Sequence, residues 1–127
     1  LRTPLPVPVG GGETVLVVED ETAVRSLIVQ ALAGAGYRVL QAADGEAALE
    51  AAAQHGGAID LLLTDVVMPR LGGLDLAAAL RRRRPGIRVL FMTGYSDAEL
   101  IDEQVVPKPF PPSLVLARVR HMLQPRS

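Results

Sequence analysis

The residues with the most chemical potential stand far apart in this chain. Glu19-Asp20-Glu21 follows one apolar run, Asp65 ends a second, Thr93-Gly94 ends a third, and Lys108 sits between two prolines. Singly, each has a plain structural reading: Asp20 or Glu21 as a helix cap, Thr93 as a strand residue. Converging on one edge, they form a different object. Two carboxylates ~4 Å apart repel by roughly 4 kcal/mol at an effective dielectric near 20. A cluster of Glu19, Asp20 and Asp65 therefore needs a cation or a raised pKa. Oxygen donors of this type suit Mg2+, which is usually held by one or two carboxylates plus a phosphate. Mg2+ would let an anionic Asp attack a phosphoryl group, and Asp is a nucleophile of aspartyl-phosphate chemistry. Lys108 can neutralise the incoming oxygens, and Thr93 can donate to one of them.

Lys108 carries a signal of its own. Of 13 basic residues it is the only lysine, leaving twelve arginines. A chain that otherwise uses Arg keeps a compact ammonium at one position, which points to a size-limited site.

The elements that must position these groups follow from the apolar pattern. TVLVVE (14–19) and IDLLLT (59–64) are continuous β-branched and Leu-rich runs, as expected of strands covered on both faces. YRVLQA (37–42), IRVLFMT (87–93) and QVV (104–106) complete five candidate strands. Val24, Leu27, Ile28, Ala31 and Leu32 fall at helical spacing, with Gly34 and Gly36 as the stop. Residues 45–54 and 74–84 give two more helices, and Pro111-Pro112-Ser113 opens a last one carrying Val115, Val119 and Met122. Such a β-α repeat requires parallel strands with right-handed crossovers and helices on both faces. Ligands in these sheets bind beyond the carboxyl ends of the strands, where the acidic residues, Thr93 and Lys108 fall.

Composition narrows the field further. With 127 residues the chain makes one domain, and 49% apolar with 21% charged residues excludes general disorder. A net charge of −1 gives no field for nucleic acid or anionic membrane. The absence of Cys excludes a disulfide framework and fits a reducing, cytoplasmic setting. Residues 1–12, LRTPLPVPVGGG, read as a Pro/Gly-rich linker or tail preceding a domain at 13–124. The glycine triplet is no phosphate loop, because no Lys-Ser/Thr follows it. The initial Leu suggests a fragment of a longer protein. Arg81–Arg84 read as a solvated helix end that suits the dipole, and His55 and His121 as surface residues.

VLVVEDE, TDVVMPRLGGLDL, FMTGYS and PKPF together resemble the response regulator receiver family, over about residues 13–124. The resemblance implies a flavodoxin-like, doubly wound α/β fold with a five-stranded parallel sheet in the order 2-1-3-4-5. It implies phosphorylation on Asp65, with Mg2+ held by Asp20, Asp65 and the Val67 carbonyl, and Glu19 beside it through water. Thr93 and Lys108 would be the switch hydroxyl and the phosphoryl-pairing lysine, with Lys108–Pro109 cis. Met68-Pro69 and Gly73 match the turn after the phosphorylated strand. Tyr95 would stand at the mouth of the site. The phosphoryl donor would be a histidine kinase or a histidine phosphotransfer domain. The domain would assist its own phosphorylation without being a free-standing enzyme.

Other readings fit less well. An FMN carrier of the same fold needs an uncharged Ser/Thr-rich loop where this chain has Glu19-Asp20-Glu21. An aspartate-dependent phosphatase would place Asp-x-Asp there. An inert pseudo-receiver, acting as an interaction module, is disfavoured by the complete set of acids, Thr and Lys. The wording GETVLVVEDE and TGYS resembles receivers at the C-terminus of hybrid histidine kinases, which would tether the domain to a sensor. Two departures concern output. Val105 stands where many receivers have an aromatic residue. Between Thr93 and Lys108 there is room only for a shortened fourth helix at 97–101, so a monomer is expected.

Overall fold

The computed structural model describes residues 11–94 and 105–124. Five strands, β1 (Thr14–Val18), β2 (Arg38–Ala42), β3 (Leu61–Asp65), β4 (Arg88–Thr93) and β5 (Val105–Pro107), form one sheet in the order β2-β1-β3-β4-β5. All four pairings are parallel. The helices among the described residues are α1 (Thr22–Gly34), α2 (Gly45–Gln54), α3 (Gly73–Arg83) and, at the C-terminal end, α4 (Pro112–Leu123). The fold expected from sequence is thus present. The proposed short helix at 97–101 and Tyr95 lie outside the described residues.

Every residue of β1 and β3 is buried, because helices cover both faces of the sheet. Alternation then divides the core in two. Val15, Val17, Leu61, Leu63, Leu90 and Met92 point to one side, where Ile28 and Leu32 of α1 meet Val115 and Val119 of α4. Leu16, Val18, Leu62, Val89 and Phe91 point to the other, against Ala48 and Ala52 of α2 and Leu76 and Leu80 of α3. Ala rather than Leu on α2 lets that helix approach the sheet closely.

Strand bounds differ from the sequence pattern by one or two residues. β3 begins at Leu61 rather than Ile59; Asp60, just before it, donates its N–H to the Thr14 carbonyl at 2.8 Å and accepts the Thr14 N–H on Oδ2 at 2.8 Å. β5 runs to Pro107, which an edge strand tolerates. The reading of Arg81–Arg84 as a solvated end needs one correction. The Arg84 guanidinium donates to the carbonyls of Ala52, His55 and Gly57 at 2.8–3.1 Å, which caps the C-terminus of α2.

The connection from β3 to α3 is stitched closely to the sheet. Val66 N–H donates to the Met92 carbonyl at 3.1 Å, and Gly73 N–H returns to the Val66 carbonyl at 2.8 Å. Arg70 takes φ 67°, and its side chain pairs with Asp44 at 3.1 Å and Glu46 at 2.7 Å, at the start of α2. With Arg70 64% exposed, such pairs contribute little stability and serve mainly to hold the turn.

Gly73 is required by contact rather than by dihedral: a Cβ there would fall on the Asp65 carbonyl oxygen and within 3.0 Å of Val66 Cα. Gly73→Ala should therefore cost about 1–3 kcal/mol in urea denaturation. Gly34→Ala, at a helical site with open space around it, should be neutral or stabilising by up to about 1 kcal/mol. An unchanged midpoint for Gly73→Ala would mean that the turn yields more easily than its packing implies.

Candidate functional site

The carboxyl ends of β1, β3 and β4 and the segment after β5 bring the singled-out residues together. Glu19 follows β1 directly, and its N–H still pairs with the Ala42 carbonyl at 3.2 Å. Asp65 is the last residue of β3 and Thr93 the last of β4. Lys108 follows β5, and its N–H donates to the Thr93 carbonyl at 2.7 Å, which fixes the backbone from which the side chain reaches inward. The Lys108–Pro109 peptide is cis, as expected. Glu21 is the N-cap residue of α1, yet its side chain makes no capping bond. A capping role for that acid is therefore not realised.

Lys108 Nζ lies 2.6 Å from Glu19 Oε1 and 2.6 Å from Asp65 Oδ1. Glu19 is fully buried, and its Oε2 accepts from the Glu21 N–H at 3.1 Å. Asp65 is also buried, and its Oδ2 makes no hydrogen bond; neither does the buried Oγ1 of Thr93. Both atoms belong to residues lining a cleft of about 120 Å³ with Asp20, Val67, Met92, Gly94 and Lys108. Val67 is 71% exposed, so its side chain forms the outer rim.

Burial and mutual repulsion set the charges. Burial, reinforced by the Glu19 carboxylate, pushes Asp65 up to about 8, with Lys108 opposing. Burial also works against ionisation of Glu19, but its hydrogen bonds to Asp65, Lys108 and the Glu21 amide outweigh it and bring the group down to about 2. Lys108 is raised: burial opposes its charge, and the two carboxylates overcome that. Burial and mutual repulsion thus favour a single proton on the Glu19–Asp65 pair, with Lys108 offsetting the remaining negative charge. The upward shift of Asp65 is one of the two remedies expected from sequence, and the Lys108 ammonium adds a positive charge that was not assigned to this pairing.

The residues fit Mg2+. One carboxylate oxygen from each of Glu19, Asp20 and Asp65 lies within 4.8 Å of the others, and Asp65 Oδ2 is without a partner. The donors are hard oxygens, with no thiolate or imidazole among them.

Glu19, Asp20, Asp65, Thr93 and Lys108 meet at this edge, where the apolar runs end, and Val67, which came from the family resemblance, lines the same cleft. The direct Glu19–Lys108 pair was not foreseen. Its one sequence signal was the solitary lysine, which marked Lys108 without naming its partner. Arg25, which donates to the Glu19 carbonyl, and Arg70 were not singled out either; both act across the fold and follow no local pattern.

Fold, site and sequence agree with one family: the response regulator receiver domain matches residues 15–120, and the chain belongs to it. It is a receiver domain of two-component signalling. It is 39% identical to the sensor kinase CckA of Brucella abortus over 90% of this chain, but spans only 13% of that protein. The response regulator receiver protein CpdR of Brucella abortus is 34% identical over 76% of this chain and 84% of its own length. Among solved structures, the receiver domain of the hybrid histidine kinase CckA superposes with a TM-score of 0.72 at 37% identity, over 87% of this chain and 99% of that one. The chemotaxis protein CheY4 of Vibrio cholerae superposes with a TM-score of 0.78 at 27% identity, over 89% of this chain and all of that one. No helix among the described residues is long and apolar enough to cross a membrane.

The shifted carboxyls predict how stability follows pH in the absence of metal. Between its ordinary 3.8 and about 8, folded Asp65 keeps a proton that the unfolded chain has lost, so stability falls as pH rises through that window. Glu19 acts oppositely at lower pH: its contribution is complete above 4.5 and lost as pH falls toward about 2. In EDTA the chain should be less stable near pH 8 than near pH 5, by up to roughly 4 kcal/mol. Urea midpoints for wild type and Asp65→Asn test this: the variant should lose most of the slope, and equal slopes would remove Asp65 as its source.

Proposed function

We propose that the domain takes a phosphoryl group from the phosphohistidine of a histidine kinase or histidine phosphotransfer domain onto Asp65, in a Mg2+-dependent reaction. The observation that carries this is the Asp65 carboxyl, buried at the cleft with Oδ2 unpartnered and Lys108 on Oδ1. An Asp65 oxygen attacks phosphorus, the phosphorus–nitrogen bond breaks, and its electron pair returns to the imidazole. The attack requires Asp65 in its ionised form, which burial and the Glu19 carboxylate disfavour. Asp20, Asp65 and the Val67 carbonyl would hold Mg2+, with Glu19 beside it through water. When bound, Mg2+ offsets the negative charge that otherwise keeps a carboxylate and a phosphoryl group apart. Lys108 pairs with a phosphoryl oxygen, and the Thr93 hydroxyl, without a partner, donates to another.

The receiver comprises residues 13–124 and residues 1–12 serve as a linker. The domain acts in the cytoplasm as a monomer, is not a free-standing enzyme, and contacts neither nucleic acid nor membrane. Similarity to CckA supports a place within a hybrid sensor kinase.

Incubation with acetyl phosphate and Mg2+ should add one phosphoryl group by intact mass, while Asp65→Asn or EDTA should prevent it. The same sample treated with beryllofluoride should still sediment as a monomer. Modification of Asp65→Asn at the wild-type rate would falsify the assignment.

Metal and phosphoryl roles separate in a second experiment. Asp20→Ala should weaken Mg2+ binding by at least tenfold, a loss on the order of 1.4 kcal/mol, because it removes a charged ligand. Lys108→Ala should leave Mg2+ affinity equal or higher, because it removes a nearby positive charge, yet impair phosphorylation. Calorimetric titration decides, and an equal loss of affinity in both variants contradicts the division of roles.

A further inference from the structure

Arg25 takes no part in the chemistry above, yet it reaches the backbone of the acidic cluster. It lies early in α1, half-buried, with its own N–H bonded to the Glu21 carbonyl at 2.9 Å. Its Nη1 donates to the Glu19 carbonyl at 2.7 Å, and its Nε donates to Gln41 Oε1, on β2, at 3.3 Å. β1 ends at Val18, and the Glu19 N–H is the group that still pairs with β2, through the Ala42 carbonyl. Glu19 is therefore held at both backbone ends, by β2 at its N–H and by Arg25 at its C=O.

The Glu19 carbonyl shares a rigid peptide plane with the Asp20 N–H. Fixing that plane fixes the Asp20 N and Cα positions from which its exposed side chain departs. The Asp20 carboxyl lies beside those of Glu19 and Asp65, with one oxygen of each within 4.8 Å of the others. The planar guanidinium fork is suited to hold two acceptors on different elements at once.

We infer that Arg25 is a positioning residue for the metal site, setting the Glu19–Asp20 peptide and through it the aim of the Asp20 carboxylate. The role rests on the Mg2+ reading above, and its sign separates it from a simple charge effect. Loss of a positive charge beside an acidic cluster should by itself tighten Mg2+ binding. Loss of a positioning contact should weaken it, as outer-shell substitutions do by about 10–100-fold.

The test is Mg2+ titration by calorimetry on wild type, Arg25→Met, Arg25→Lys and Gln41→Met, each with a thermal melt in EDTA. Arg25→Met should bind Mg2+ roughly tenfold more weakly while melting within a few degrees of wild type. Arg25→Lys should recover part of the affinity, since an ammonium can reach the carbonyl without spanning both acceptors. Gln41→Met should lose less than Arg25→Met. An Arg25→Met variant that binds Mg2+ as tightly as wild type, or more tightly, overturns this role alone. A wild type that binds no Mg2+ overturns the parent reading as well. Should Arg25→Met fail to fold, Arg25→Gln decides by the same comparison.

Discussion

Two buried carboxylates held against a single ammonium are the constraint on which the rest of this molecule depends. Glu19 and Asp65 are almost without solvent, and Lys108 touches both at 2.6 Å. Burial alone would oppose all three charges. The cost falls when the two carboxyls hold one proton between them, because Lys108 then compensates the charge that remains. An arginine would bring a wider, planar head into this space, so the only lysine in the chain stands where a compact cation is needed.

The surrounding backbone is organised to hold those three groups. The Lys108 N–H bonded to the Thr93 carbonyl fastens the segment after β5 to the end of β4. The Glu21 N–H on Glu19 Oε2 turns the second carboxylate oxygen away from Lys108 and back toward the start of α1. Gly73 allows the chain leaving β3 to fold back over the Asp65 carbonyl, where any side chain would collide. Each contact ties a neighbouring element to the site.

The sheet was legible because β1 and β3 are buried on both faces, and continuous apolar runs are what such burial demands. The site was legible because the acids, Thr93 and Lys108 fall where those runs stop. What escaped depends on contacts distant in sequence. Arg84 caps α2 through the carbonyls of Ala52, His55 and Gly57, and nothing near Arg84 in sequence distinguishes it from the three arginines before it. Asp60 sits in the apolar run before β3, and its side-chain bond to the Thr14 N–H is a contact that the run does not encode. The Glu19–Lys108 pair spans 89 residues and depends on rotamers that no local pattern encodes.

The same balance explains why a divalent cation suits this site better than a second lysine would. With Asp65 protonated, Glu19 and Lys108 cancel, and the buried cluster can exist unaided. Ionising Asp65 would leave one buried negative charge uncompensated, and the exposed Asp20 carboxylate beside it adds a second. A monovalent cation would offset only one of these, whereas a divalent cation matches both. A fixed second ammonium would instead favour the ionised form of Asp65 at all times. Burial and charge count alone thus tie the ionisation of Asp65 to the positive charge present at the cleft.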